Sequence, residues 1–163
     1  MAERMQTAAA GDSLGRLVVI GLGLIGGSFA KGVREAQLFS EVVGVDLDSE
    51  SCRLAVELGV VDRCETDLAR ACQGAAVIQL AVPILAMERL LEQLSALDLH
   101  STILTDVGSA KGSIPRAAQR YLPQCLANFV PGHPIAGSEQ SGVEAADAAL
   151  FRRHKVILTP HAA

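Results

Sequence analysis

Residues 16–26, RLVVIGLGLIG, and residues 41–46, EVVGVD, decide the fold. The first begins as a short apolar run rich in β-branched residues, the pattern of a strand buried on both faces. It runs into Gly21-Leu22-Gly23-Leu24-Ile25-Gly26, and a helical pattern then extends from about Leu24 to Glu35 before the second apolar run. Strand, glycine turn, helix and strand open a parallel crossover unit. In such a unit the first glycine permits a tight turn and the second lets a pyrophosphate approach the backbone. The third lets the helix lie close on the strand. Amides at the helix N-terminus then point at the phosphates. Gly27 offers a competing register, and a tight turn with no ligand is the plainer reading of the same glycines.

Asp46 stands about twenty residues beyond the last glycine, at the end of the second strand, where a carboxylate accepts hydrogen bonds from the adenosine ribose hydroxyls. A 2′-phosphate there would meet like charge from Asp46, Asp48 and Glu50, so NAD is expected over NADP. Arg53 is the nearby cation that could reverse this preference, and it lies a turn into the next helix. The expected cofactor set is therefore Gly21, Leu22, Gly23, Leu24, Ile25, Gly26 and Asp46.

Working outward, strand candidates recur at 75–82, 102–106, 126–130 and 155–159. Between them Met87, Leu90, Leu91, Leu94 and Leu97 follow Pro83 at helical spacing, and Ile114, Ala117, Ala118 and Tyr121 repeat the pattern. Alternation of this kind predicts an α/β, doubly wound, mainly parallel sheet, the Rossmann dinucleotide-binding fold, over residues 16–163. The tail up to about Gly15 is expected to be disordered. Ligands of such sheets bind beyond the carboxyl ends of the strands, which adds Val82 and Pro83 to the cofactor set.

Composition narrows the class. Half of the 163 residues are hydrophobic, but only four Phe and one Tyr are aromatic, so the core must be built from Ala, Val, Leu and Ile. The net charge of -4 leaves no basic footprint for nucleic acid. No apolar run approaches the ~20 residues that span a bilayer, and the N-terminus lacks the apolar stretch of a signal peptide. A cytoplasmic protein is the expectation. Cys52, Cys64, Cys72 and Cys125 match neither a redox pair nor a zinc knuckle and are read as reduced core residues, with no metal.

Two loops fall where chemistry belongs: Asp106-Val107-Gly108-Ser109-Ala110-Lys111-Gly112, and Pro131-Gly132-His133-Pro134-Ile135-Ala136-Gly137-Ser138-Glu139. His133, expected directly after a strand, is the best proton acceptor in the chain because an imidazole titrates near neutral pH. Ser109 either orients His133 and a substrate hydroxyl or caps a helix starting near Lys111. Lys111 either meets an anion or is a solvated first-turn lysine. Glu139 either faces the site or stabilises the start of a following helix. His100 and His154 are read as surface residues, and His161 as part of the C-terminal tail.

GLGLIGGSFA at 21–30, DVGSAKG at 106–112, PGHPIAGSEQSGVEAA at 131–146 and ILTP at 157–160 together resemble the nucleotide-binding half of the prephenate dehydrogenase family, over residues 16–160. The resemblance implies NAD-dependent oxidative decarboxylation of prephenate to 4-hydroxyphenylpyruvate in tyrosine biosynthesis, with arogenate as an alternative substrate. It implies that His133 accepts the hydroxyl proton, that Ser109 holds the hydroxyl and the imidazole, with Ser109 also counted beside the cofactor, and that Glu139 belongs to a polar gate. Family members continue into a helical domain that makes a homodimer and supplies an arginine for the substrate carboxylate. This chain stops at Ala163, so a fragment with weak or no turnover is expected. The rival readings are another hydroxyacid-type NAD dehydrogenase and a non-enzymatic NADH-sensing domain.

Overall fold

The computed structural model describes residues 13–109 and 112–160. Seven strands form one sheet in the order β3-β2-β1-β4-β5-β6-β7. They are β1 (Arg16–Ile20), β2 (Glu41–Val45), β3 (Arg63–Glu65), β4 (Val77–Leu80), β5 (Ile103–Asp106), β6 (Phe129–Pro134) and β7 (Val156–Leu158). The helices are α1 (Leu24–Glu35), α2 (Ser49–Glu57), α3 (Leu68–Cys72), α4 (Ile84–Leu94) and α5 (Ser113–Tyr121). The doubly wound, mainly parallel α/β sheet is as expected.

Strand β1 shows why its sequence is apolar at every position from Leu17 to Ile20. Leu17 and Val19 enter one core with Leu22, Ala30, Val42 and Ala55 beneath α1 and α2. Val18 and Ile20 enter the other, with Ile78, Leu80, Leu104 and Phe129. A strand covered on both faces cannot alternate apolar with polar. The stripe of α4, Met87, Leu90, Leu91 and Leu94, closes the second core. Full burial of such side chains is worth about 1.5–3 kcal/mol each.

The structure corrects the sequence reading at four places. Strand β3 was not expected, because Arg63-Cys64-Glu65 has no apolar run; pairing with β2 and the Glu41 carboxylate, which meets both Arg16 and Arg63, recruit it. The strand expected at 126–130 begins later. Pro123–Asn128 form a 3-10 turn and β6 reaches Pro134, so His133 lies inside the strand, opposite Ile157 of β7. Strand β7 is antiparallel to β6. The connection between them carries only the 3-10 turn Val143–Ala145, and without a crossover helix the chain returns in the opposite direction.

The fourth correction concerns the cysteines. Cys52 on α2 and Cys64 on β3 are joined in a disulfide with Cα atoms 5.4 Å apart, while Cys72 and Cys125 are free and buried. The packing of α2 on β3 brings together residues whose spacing matched no motif. Of the expected tail, residues 1–12 lie outside the described residues, and Leu14 N–H donates to the Leu38 carbonyl at 3.0 Å. No helix among the described residues is long and apolar enough to cross a membrane.

Candidate active site and nucleotide cleft

At the carboxyl end of the sheet a cleft of about 750 Å³ opens between the β1 turn, the end of β2 and the start of α4, lined by Gly21, Asp46, Val82 and Pro83 among others. The three glycines of the turn meet different steric surroundings. Gly21 has φ +93°, and a Cβ there would lie 2.5 Å from the Ala81 carbonyl oxygen. A Cβ on Gly26 would lie 2.0 Å from the Gly21 carbonyl oxygen, so α1 can approach β1 only without a side chain. A Cβ on Gly23 would meet nothing within 4 Å. That open space is where the backbone can receive a phosphate, and Gly23 is the N-cap of α1, with no side chain occupying the helix N-terminus. Gly27 instead faces Ala146, which removes the competing register.

Asp46 is half-buried, and its Oδ2 accepts a hydrogen bond from Leu22 N–H at 2.9 Å and its Oδ1 one from Asp48 N–H at 3.0 Å. The Leu22 side chain itself is core rather than cleft, packed where Gly44 leaves room for it. Leu24 and Ile25 form the half-buried first turn of α1. Asp48 caps α2 through Glu50 N–H and Ser51 N–H. The bond from the Ser51 hydroxyl, followed by that from its backbone N–H, holds the Asp48 carboxyl below the usual range. Arg53 pairs with Glu50 and Glu57 along its own helix, so its charge is already engaged away from Asp46. The cleft is also lined by Leu47, Thr66, Leu68, Arg89 and Gln93, which the sequence reading missed. Only the i, i+4 spacing of Arg89 and Gln93 on the outer side of α4 hinted at them.

The second group of candidates gathers on β5 and β6, neighbouring strands whose register ends at Asp106 opposite Pro131. Ser109 is exposed in the loop after β5. His133 is half-buried in β6, and its Nδ1 is buried with no hydrogen-bond partner among the described residues. Gly132 and Pro134 line a trough beneath α1, so strand alternation turns His133 to the opposite side of the sheet. Glu139 is exposed in an irregular segment, and the only helical turn that follows it starts at Val143 with no side-chain cap. No side chain caps α5, whose N-cap is Gly112. Lys111 and His161 lie outside the described residues.

The strand carrying His133 is braced on its far side. Ile135 N–H donates to the Lys155 carbonyl at 2.8 Å, Thr159 N–H donates to the Pro131 carbonyl at 2.9 Å, and His154 Nδ1 lies 3.0 Å from the Ile135 carbonyl oxygen. His154 is exposed, as expected, yet it takes part in this bracing. His100 is likewise exposed, its carbonyl accepting from Asn128 Nδ2. Taken together, a glycine turn with open space at Gly23, the half-buried Asp46 carboxylate and an imidazole whose Nδ1 has no partner among the described residues share one end of one sheet.

Residues 29–163 match the family model described as prephenate dehydrogenase, nucleotide-binding domain. The prephenate dehydrogenase of Lactococcus lactis subsp. cremoris (strain MG1363) is 39% identical over 145 residues, which are 88% of this chain and 40% of that protein. The crystal structure of prephenate dehydrogenase from A. aeolicus in complex with hydroxyphenyl propionate and NAD+ matches with a TM-score of 0.84 at 34% identity, covering 93% of this chain and 52% of that one. Synechocystis arogenate dehydrogenase matches with a TM-score of 0.81 at 35% identity, over 90% of this chain and 50% of that one. The chain therefore spans about half the length of these relatives, or less.

Proposed function

Because this chain belongs to the prephenate dehydrogenase family, matching its nucleotide-binding domain, we propose that it binds NAD between Gly21 and Asp46 and forms the cofactor half of a prephenate-oxidising site. What supports this reading is that the Ser109 loop follows β5 and His133 lies in β6, the next strands of the same sheet after β4, beyond which Val82 and Pro83 line the glycine-turn cleft. The residues fit the cofactor: Gly23 leaves the backbone open for a diphosphate, and Asp46 ends β2 where the ribose hydroxyls would lie. NAD, when bound, supplies a hydride acceptor.

In the proposed reaction the 4-hydroxyl of prephenate gives its proton to the imidazole of His133, while hydride leaves the carbon that bears it. Breakage of the ring-to-carboxylate bond then releases carbon dioxide, and its electron pair enters the ring. The phenolate oxygen so formed takes the proton back from His133, and 4-hydroxyphenylpyruvate leaves. Ser109 hydrogen-bonds the hydroxyl, and Glu139 belongs to the rim. A homodimer, and an arginine for the substrate carboxylate from a helical second domain, belong to this reading of the whole protein. Arogenate is the second substrate reading, favoured by the likeness to the Synechocystis enzyme.

The test uses the purified 163-residue chain. NADH fluorescence should rise saturably, and hydroxyphenyl propionate added to that complex should shift the nuclear magnetic resonance signals of Ser109 and His133. Absence of NADH binding, or an analogue that leaves both residues unmoved, would overturn the proposal.

A further inference from the structure

Between the two candidate catalytic groups sits a carboxylate that the reading above does not use. Asp106 ends β5 and is 1% exposed. Its Oδ2 accepts a hydrogen bond from Gly108 N–H at 2.8 Å, and its Oδ1 accepts one from Gly132 N–H at 3.2 Å. Ser109 is the residue after Gly108, and His133 is the residue after Gly132. One buried side chain thus grips the backbone immediately before each of them.

The sheet itself cannot do this. Among the described residues its β5–β6 register ends with Asp106 opposite Pro131, before the Ser109 loop and the His133 segment. The carboxylate takes over where the ladder stops. Both gripped residues are glycines under pressure. A Cβ on Gly108 would lie 2.5 Å from Ile114 Cδ1 and 3.1 Å from Asp106 Oδ2, and a Cβ on Gly132 would lie 2.8 Å from the Asp106 carbonyl oxygen. Side chains at either position would push the backbone off the carboxylate. An ionised carboxylate also has acceptors on both oxygens, whereas an amide would aim an N–H at one of the two donors.

We propose that Asp106 is a positioning residue that sets the distance between Ser109 and His133, and with it the fit of one hydroxyl between them. It acts through the Gly108 and Gly132 amides. The proposal rests on the reading that those two residues share the reacting hydroxyl, and the experiment separates the two. In the 163-residue chain, Asp106→Asn should leave the NADH dissociation constant within twofold, since the glycine turn and Asp46 lie on β1 and β2. It should move the amide signals of Gly108, Ser109, Gly132 and His133, and it should weaken hydroxyphenyl propionate binding to the NADH complex at least tenfold. Asp106→Glu, with its carboxylate one methylene further out, should not restore that affinity.

Ser109→Ala and His133→Asn are the controls. If neither weakens analogue binding, the reading of the site fails. If both weaken it and Asp106→Asn does not, the positioning proposal fails while the reading stands. If NADH affinity and analogue affinity fall in parallel, Asp106 is a general structural residue and the proposal is overturned. A measurement on the unaltered chain guards against a variant that does not fold. The Gly108 and Gly132 amide protons should exchange with solvent at least 100-fold more slowly than that of Gly137. Rapid exchange at either glycine would also overturn it.

Discussion

The backbone N–H of Leu22 donates to the carboxylate of Asp46 at 2.9 Å, joining the glycine turn after β1 to the end of β2. The residue that would read the ribose is thus built into the loop that would receive the diphosphate. With Asp48 N–H on its other oxygen, the carboxylate has a fixed orientation before any ligand arrives.

Asp46→Ala should weaken NADH binding about 10- to 100-fold, since hydrogen bonds to a charged acceptor are worth about 1.5–3 kcal/mol. Removal of the negative charge should at the same time narrow the preference for NADH over NADPH. Fluorescence titrations with both cofactors measure the two effects, and an unchanged ratio would remove Asp46 from the specificity argument.

The glycines of the turn should separate folding from binding. Gly23→Ala has free space for its methyl group and an ordinary φ of -69°, so the fold should survive while NADH binding is lost. Gly26→Ala drives a methyl group into the Gly21 carbonyl and should cost about 3 kcal/mol of stability. Thermal melts and NADH titrations of the pair are the check, and equal melting temperatures would contradict the assignment.

In the two-domain protein that the proposed function implies, replacement of His133 by Asn should lower kcat with prephenate and NAD by about 10²-fold or more, the scale of a lost proton acceptor. NADH affinity should stay within about twofold. Retained turnover would make His133 a structural residue of β6.

The disulfide closes a short loop between α2 and β3, separated by 12 residues, and constrains the unfolded chain. A loop of that size is worth up to about 3 kcal/mol. Reduction with a dithiol, or Cys52→Ser, should lower the melting temperature by roughly 6–12 °C for a domain of this size. Equal melting temperatures with and without reductant, alongside alkylation of four thiols, would refute the link. Cys72 should react slowly in any case, because burial pushes its thiol up to about 12.

Acid should loosen the β1–β2–β3 edge. The hydrogen bond from Arg63, set against desolvation and aided by the bond from Arg16, holds the Glu41 carboxyl below its ordinary value of 4.5. A depressed folded-state value means that the ion-pair network contributes stability above pH 4.5 and loses it as pH falls through the lower folded value. The half-exposed setting limits the contribution to about 1 kcal/mol or less. Glu41→Gln should therefore melt at lower temperature near pH 6 and converge with the unaltered chain near pH 3; a constant difference across that range would exclude Glu41 as the source.

How much of this was legible depended on whether the signal was local. Strand β1 announces itself because four consecutive positions, Leu17 to Ile20, face one of two cores, and α1 begins and ends where the helical pattern does. Strand β3 was invisible because three polar or half-buried residues carry no periodicity, and only a neighbouring strand and two ion pairs give them a reason to extend. Strand β6 was misplaced because Leu126 is apolar yet belongs to a 3-10 turn packed on the core, while Gly132, His133 and Pro134 look like a loop and are held extended by β7.

The sequence by itself determined the βαβ start, the glycine turn at Gly21 to Gly26, the place of Asp46 after the second strand and the short list holding Ser109 and His133. These follow from rules that act within a few residues: steric limits on the backbone at a tight turn, the two-faced burial of a parallel strand and the period of a helix. Tertiary structure alone decided that Cys52 meets Cys64, that Arg53 is spent on its own helix, and that His133 sits in a strand with one buried nitrogen unpartnered. It also decided that Asp106 grips Gly108 and Gly132 together. Such relations join residues far apart in the chain, and their energies exist only once the sheet has closed the distance and excluded the water that would otherwise satisfy each group.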